Sequence, residues 1–347
     1  MTPISATQAL ALCQDGALYQ PVYQLTDAHG TPYTCDDITL TLDETGTDYI
    51  NVDAQLSTPT SIDVLTAPRF TLTLGLDFLD LGQQCPSMAS YELVARTLTI
   101  TGRESARLTL QSLESLIRDA GASHTRAYTA SSTLNAAVTE IIHDTLPTAR
   151  IISDLPGTAT FLTGTDTLTW ETFSNNWGII QEMCDGADAT CYHDGHIFHI
   201  TYADHSRPTI TYSSSLQHLI EYELTISRDT FANSVTTTFK NGVTARADNP
   251  TGRYSVSMIG RKTLLDDIPH DGSATQATKR ATARLARALT SGHELHYTLA
   301  RLPFGLQPGD TTSVQTLEDT WNGTITAITY NLKKATSEIT LRQIRKD

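Results

Sequence analysis

Ser273-Ala274-Thr275-Gln276-Ala277-Thr278-Lys279-Arg280-Ala281-Thr282-Ala283-Arg284-Leu285-Ala286-Arg287-Ala288-Leu289-Thr290-Ser291-Gly292 is the stretch on which the reading of this chain turns. Ser273 and Gln276 have the spacing of a capping box, in which the two side chains satisfy each other's backbone N–H groups. Ala277, Ala281, Leu285 and Ala288 recur at helical spacing, and Gly292 stands where a helix commonly stops. The pattern predicts a helix over 273–290 whose small alanines let it lie close against a sheet. Alternating segments follow: His293 to Leu302, a turn at Leu306-Gln307-Pro308-Gly309-Asp310, a strand near Thr312 to Leu317, and a reversal at Trp321-Asn322-Gly323. Strands at Thr324 to Leu332 and Ser337 to Ile344 complete a compact β-meander. A helix delivered into a meander is an architectural part, and no motif within it calls for catalysis.

The whole chain of 347 residues is long enough for two or three cores. Apolar residues make up 39% and charged residues 18%, below the roughly 25% of an average domain. Threonine and serine supply the remaining polarity. Runs such as Ile38-Thr39-Leu40-Thr41-Leu42 favour strands, because β-branched side chains suit a half-solvated pleated surface. A formal net charge of -14 argues against binding nucleic acid through its phosphates. The five cysteines form no C-x-x-C pair, so reduced thiols are expected. The start lacks the basic region of a secretory signal, and no apolar run approaches membrane-spanning length, so a soluble chain made in a cytoplasm is expected.

Four blocks emerge. Residues 1–45 hold a short helix (Ala6 to Cys13) and strands near Leu18 to Thr26 and Tyr33 to Leu42, forming an N-terminal β-rich segment. Residues 46–121 alternate strongly, with Phe70 to Phe78, Glu92 to Thr101 and Ala106 to Leu110, and end in a small helix at Ser112 to Ala120. Residues 122–204 change period: a stripe of Leu134, Val138, Ile141 and Ile142 predicts one helix, and Trp170 to Asp185 a second. An Asp194-Gly195 turn between alternating residues predicts a hairpin, so this block is α+β. Residues 205–347 open with Thr209 to Tyr212 and Glu221 to Ser227, expect Asn233 to Phe239 to pair with Arg253 to Ser257, and contain the 273–290 helix. The fold class is therefore α+β and β-rich.

Catalytic templates fit poorly. His193, His196, His199 and His205 look like metal ligands, but alternation sends His196 and His199 to opposite faces, and polar surface positions are the simpler reading. His293-Glu294-Leu295-His296 is one residue short of the zinc-protease motif. Gly102-Arg103-Glu104-Ser105 lacks the second glycine of a nucleophile elbow. Asp36-Asp37, Asp43-Glu44 and Asp266-Asp267 read as solvated loop acids, and Asp185-Gly186-Ala187-Asp188 is a poor calcium loop. No catalytic, cofactor-binding or metal residue is expected. Arg280, Arg284 and Arg287 line one helical face. The simpler reading is a solvated basic face that complements the helix C-terminus; the sharper one is a docking surface for an acidic neighbour or another protomer's carboxylates. Trp170, Phe173 and Trp177 read as core, and Trp321, at an expected turn, as an interface anchor.

Three passages together resemble the minor tail proteins that form the hub at the tail tip of long-tailed bacteriophages. They are Tyr91 to Arg96 through Leu110 to Asp119; Thr169-Trp170 to Met183 with the Asp194-Gly195 hairpin; and the 273–290 helix with Leu306 to Asp310 and Trp321. In order and spacing they are similar to that family across most of residues 60–347. The resemblance implies β-barrel-like hub domains at 46–121 and 205–347 flanking an α+β middle domain at 122–204. It also implies a homotrimer that closes the tail tube and meets distal tail, tape-measure and receptor-binding tip proteins. Location in the virion, after assembly in the host bacterial cytoplasm, comes with it, and so does a structural rather than enzymatic role. Two other readings stay open on the residues alone: a tip-borne cell-wall or polysaccharide hydrolase, and a carbohydrate- or receptor-binding tail module.

Overall fold

A computed structural model describes residues 1–58, 62–66, 68–101, 105–162, 167–172, 175–202, 212–214, 218–268, 272–316 and 320–343. Among them lie six α-helices: α1 (Ala6–Gln14), α2 (Glu114–Asp119), α3 (Leu134–Thr145), α4 (Asn176–Gly186), α5 (Val256–Ile259) and α6 (Ala274–Thr290). The first and last begin with the same word, Ser-Ala-Thr-Gln. In both, the serine hydroxyl accepts from the glutamine N–H while the glutamine side chain takes the serine N–H, a complete capping box.

Fourteen of the described strands belong to one sheet. Its main path is antiparallel and runs Leu219–Ile226, His293–Leu299, Thr336–Gln343, Thr320–Asn331, Cys35–Asp43, Ile50–Leu56, Ser105–Gln111, Gln83–Thr101, Arg69–Phe78, Gln20–Asp27 and Pro32–Tyr33. Among the described residues this path is open at both ends, so the β-rich expectation holds while the barrel-like closure does not appear. The meander holds for Thr311–Gln315, Thr320–Asn331 and Thr336–Gln343; His293–Leu299 instead lies beyond the last of these, paired with it antiparallel. Strand Thr320–Asn331 changes neighbour along its length. Thr320 to Thr324 pair with Thr311–Gln315, a bulge interrupts the register with Thr336–Gln343 between Ile325 and Ala327, and Ala327 to Asn331 then pair with Cys35–Asp43. N- and C-terminal residues thus share one hydrogen-bonded sheet.

Alternation explains which face is buried. Ile38, Leu40 and Leu42 are buried with Val52, Leu108, Leu110, Ile328 and Tyr330, while the intervening threonines face outward and Thr41 bonds Thr329 side chain to side chain. Arg301 fastens α1 to this core from the other end of the chain. Its guanidinium donates to the carbonyls of Ala17 (2.6 Å) and Gly16 (3.0 Å), just past the helix, and lies 5.4 Å over the Tyr19 ring.

The middle unit has its own core on α3 and α4, with strands Arg126–Thr129 and Thr167–Trp170 paired and Ala189–His193 joined to Phe198–Tyr202. The third unit packs α6 on a three-stranded sheet of Thr244–Asp248, Ser234–Phe239 and Thr263–Ile268.

Several expectations need correction. Trp170 ends a strand, and α4 begins only at Asn176, because the Asn175 side chain caps it through the Trp177 and Gly178 N–H groups. Ser234–Phe239 pairs with Thr244–Asp248 and, in parallel, with Thr263–Ile268, whereas 256–259 is helical. Trp321, Asn322 and Gly323 form no reversal: they sit inside a strand, opposite Val314, Ser313 and Thr312. Gly323 is required there by proximity, since a Cβ would lie 2.8 Å from the Arg342 carbonyl oxygen. Pro59, Ala67, Phe173, His205, Leu317 and residues 102–104, 209–211, 344 and 345, on which other expectations fell, lie outside the described residues.

Replacing Gly323 by alanine is expected to destabilise the protein by about 1–3 kcal/mol, the range for overpacking a tight contact. Gly157→Ala, where nothing lies within 4 Å of the added carbon, serves as the near-neutral control. Chemical denaturation of both variants checks the difference.

Candidate functional site

The large sheet and the middle unit meet around one carboxylate. Glu114 is 1% exposed at the first position of α2, directly after the strand that ends at Gln111. Its Oε2 accepts from the Tyr49 N–H (2.7 Å) and the Ser112 hydroxyl (2.9 Å), and its Oε1 accepts from the His193 N–H (2.6 Å). Tyr49 and Ser112 belong to the large sheet's margin, and His193 to the middle unit's hairpin. Burial pushes the Glu114 carboxyl up to about 7, against the pull of the same three donors. An ionised carboxylate is acceptor-only, which matches three converging donors. One turn on, Arg118 holds the buried Asp48 with two bonds, at 2.7 and 3.0 Å.

Aromatic rings extend the junction. Tyr49 stacks on Tyr192 at 4.6 Å between centroids, and Tyr192 on His199 at 5.2 Å. His199 Nε2 lies 2.7 Å from Asp194, whose carboxylate also accepts from the His196 and Ile197 N–H groups. Burial works to raise Asp194, but the bonds from His199 and the two amides outweigh it and hold the group at about 2. At the hairpin tip Gly195 has φ of 103°, and its carbonyl accepts from the Glu92 N–H at 2.7 Å. A Cβ on Gly195 would come within 2.8 Å of the Tyr91 ring, so the tip is pressed onto the sheet as only glycine permits. Val94, Leu113 and Ile117 complete the contact from the sheet side, entering the middle unit's core.

On the other flank stand the arginines of α6. Arg280 donates to Asp266 at 2.7 and 3.2 Å, Arg284 reaches Asp185 at 3.3 Å, and Arg287 reaches Asp188 at 2.5 Å. These side chains are not simply solvated: each is engaged by an acid of its own chain, and Asp266 lies on a strand rather than in a loop. Among the three units opens a cleft of about 660 Å³, lined by Glu44, Glu114, Tyr192, Arg284, Arg287 and Arg342.

The sequence had singled out Asp194-Gly195, Tyr91 to Arg96 and the arginine face separately; the fold brings the first two into contact and sets the third across the cleft. Trp321 is elsewhere, half-buried against the sheet core. His193 is buried, not at the surface, and burial pushes it down to about 3. His196 lies in the turn, not on a strand. His293 shares a hydrogen bond with the Tyr254 hydroxyl, and His296 with Thr340. Among the described residues no three His, Cys, Asp or Glu side chains form a group able to hold a metal ion. Glu114 itself went unread, because one acid in a helix's first turn carries no local mark of burial. What this arrangement does chemically is hold three units in register.

No protein-family model and no curated protein matches the sequence. Solved structures do. The 43 kDa tail protein of prophage MuSo2 from Shewanella oneidensis superposes with a TM-score of 0.65 at 12% identity, covering 92% of this chain and 98% of that one. A tail protein from Neisseria meningitidis MC58 gives a TM-score of 0.67 at 12% identity, with 93% and 97% covered. An Escherichia coli component of the type VI secretion system, c3393, gives 0.56 at 11% identity, covering 93% of this chain and 77% of that one. At such identities the likeness is one of fold. The chain has the fold of phage tail proteins over nearly its full length, in agreement with the resemblance carried by its three passages.

Removing the Glu114 side chain as Glu114→Ala leaves three buried donors without an acceptor, and a loss of roughly 3 kcal/mol or more is expected. The pH dependence has a definite sign. Since the folded group sits at about 7 against an ordinary 4.5, its contribution is full below about 4.5 and lost as pH rises through about 7. His193 acts oppositely, its neutral burial favouring the fold increasingly as pH rises from about 3 to its ordinary 6.5. Stability curves of wild type and Glu114→Gln, compared from pH 4.5 to 8, isolate the first effect. The wild type is expected to lose on the order of 3 kcal/mol relative to the variant.

Proposed function

We propose that this chain is a structural protein of a phage tail tip, a baseplate-hub component that works by assembly. The observation that carries the reading is the full-length likeness of fold to prophage tail proteins, which covers both partners almost end to end. The junction adds support: a buried carboxylate, a ring stack and a row of ion pairs hold three units together, and none of them forms a nucleophile–base pair.

In this reading residues 46–121 and 205–347 form hub domains, the β-rich segment 1–45 joins them, and the 122–204 unit projects from them. Three copies close the tail tube as a ring, the commonest kind of solution for a homo-oligomer being closed symmetry. Distal tail, tape-measure and tip proteins are the neighbours, and the finished protein resides in the virion after assembly in the host bacterial cytoplasm. The net charge of -14 agrees with contacts to proteins rather than to nucleic acid. No described helix is long and apolar enough to cross a membrane. Trp321 and the outer edges of the α6 arginines are the first positions to probe for subunit contact.

Native mass spectrometry of the chain co-produced with tail partners, with electron microscopy of tagged particles, tests this. A three-copy ring located at the tail end is expected. A chain that stays monomeric beside those partners and is missing from particles would rule the hub out, and so would clearing of host cell walls by the pure protein.

A further inference from the structure

The middle unit is attached on its two flanks by different chemistry. Towards the sheet the attachment is buried: Val94, Leu113 and Ile117 enter the middle unit's core, and Glu114 takes the His193 N–H. Towards α6, no hydrophobic cluster of described residues spans the gap. Leu285 and Ala288 pack with Ala232 and Val235, and Ala277 packs with Phe239 and Ile268, all inside the third unit. What crosses from α6 to the middle unit is polar: Arg280 and Arg284 to Asp185, Arg287 to Asp188, and the Gln276 amide to the Phe161 carbonyl. Asp185 is 45% exposed and Arg284 29%. Asp188 is held at φ of 55°, just past the end of α4.

We propose that the middle unit is a pivoting arm, hinged on α2 and latched to α6 by the Arg284–Asp185 and Arg287–Asp188 pairs, and that releasing the latch opens the cleft between them. Partly exposed ion pairs are screened by salt and individually weak, whereas a buried apolar hinge with a satisfied carboxylate is neither. The flank that yields first is therefore the one at α6. Arg280 stays with its own unit on release, because its shorter bonds are to Asp266. The inference concerns motion within one chain and stands apart from the tail-tip reading.

Hydrogen–deuterium exchange on the full chain tests it. In the double variant Arg284→Ala/Arg287→Ala at low salt, amides of residues 183–189 and 284–291 are expected to exchange at least threefold faster. Strands Ile50–Leu56 and Ser105–Gln111 are expected to keep their wild-type rates. Wild type in 1 M NaCl should reproduce the variant's pattern, and Arg284→Lys/Arg287→Lys, which keeps the charge, should stay near wild type at low salt. Unchanged exchange at the latch overturns the proposal, and so does an increase shared equally by the sheet.

Discussion

The Glu114 carboxylate, buried where three segments meet, is the constraint on which the arrangement of this molecule depends. Two of its donors are backbone N–H groups, from Tyr49 and His193, whose positions follow from strand and hairpin geometry. Such donors cannot be exchanged for apolar groups by substitution, so each needs an acceptor once water is excluded. One side chain answers both, together with the Ser112 hydroxyl. A slip in the register of the hairpin against the sheet would strand at least one of them. The Tyr49–Tyr192–His199 stack and the Gly195 tip on Tyr91 repeat the same alignment in other chemistry.

That alignment matters because the sheet beneath it joins distant parts of the chain. Strand Thr320–Asn331 stays paired with Thr336–Gln343 across a bulge, while on its other edge it exchanges Thr311–Gln315 for Cys35–Asp43. Arg301 binds the carbonyls that follow α1. The Tyr49 hydroxyl reaches the carbonyl of Pro308, within the turn that the sequence marked as structural. A load on either terminus is therefore carried through the same hydrogen-bonded frame. The α6 flank differs in kind: its contacts to the middle unit are ionic and partly solvated, so the molecule combines a rigid frame with one compliant attachment.

Local features were legible wherever a local cause sets them. The Ser273-Ala274-Thr275-Gln276 word became a capping box, the Asp194-Gly195 turn became a hairpin tip, and the alternation through Ile38 to Leu42 separated core from solvent. The errors fell where a residue's role is set by something far along the chain. Trp321 to Gly323 carried the composition of a turn, yet Gly323 is there because the Arg342 carbonyl passes 2.8 Å from where a Cβ would stand. Trp170 kept helical spacing with Trp177, but pairing with Arg126 and the Asn175 cap assigned it to a strand.

By itself, then, the sequence determined the capped α6 helix, the Asp194-Gly195 hairpin, the buried stripes and the order of passages that resembles a tail-hub protein, because periodicity, capping and turn chemistry act within a few residues. Only the tertiary structure decided that the α6 arginines face acids about a hundred positions earlier, that the two ends of the chain share a sheet, and that Glu114 is the acceptor at the junction. Those facts depend on which segments meet. A carboxylate's burial and partners come from neighbours that lie 65 and 79 residues away in the chain, and no local pattern records them.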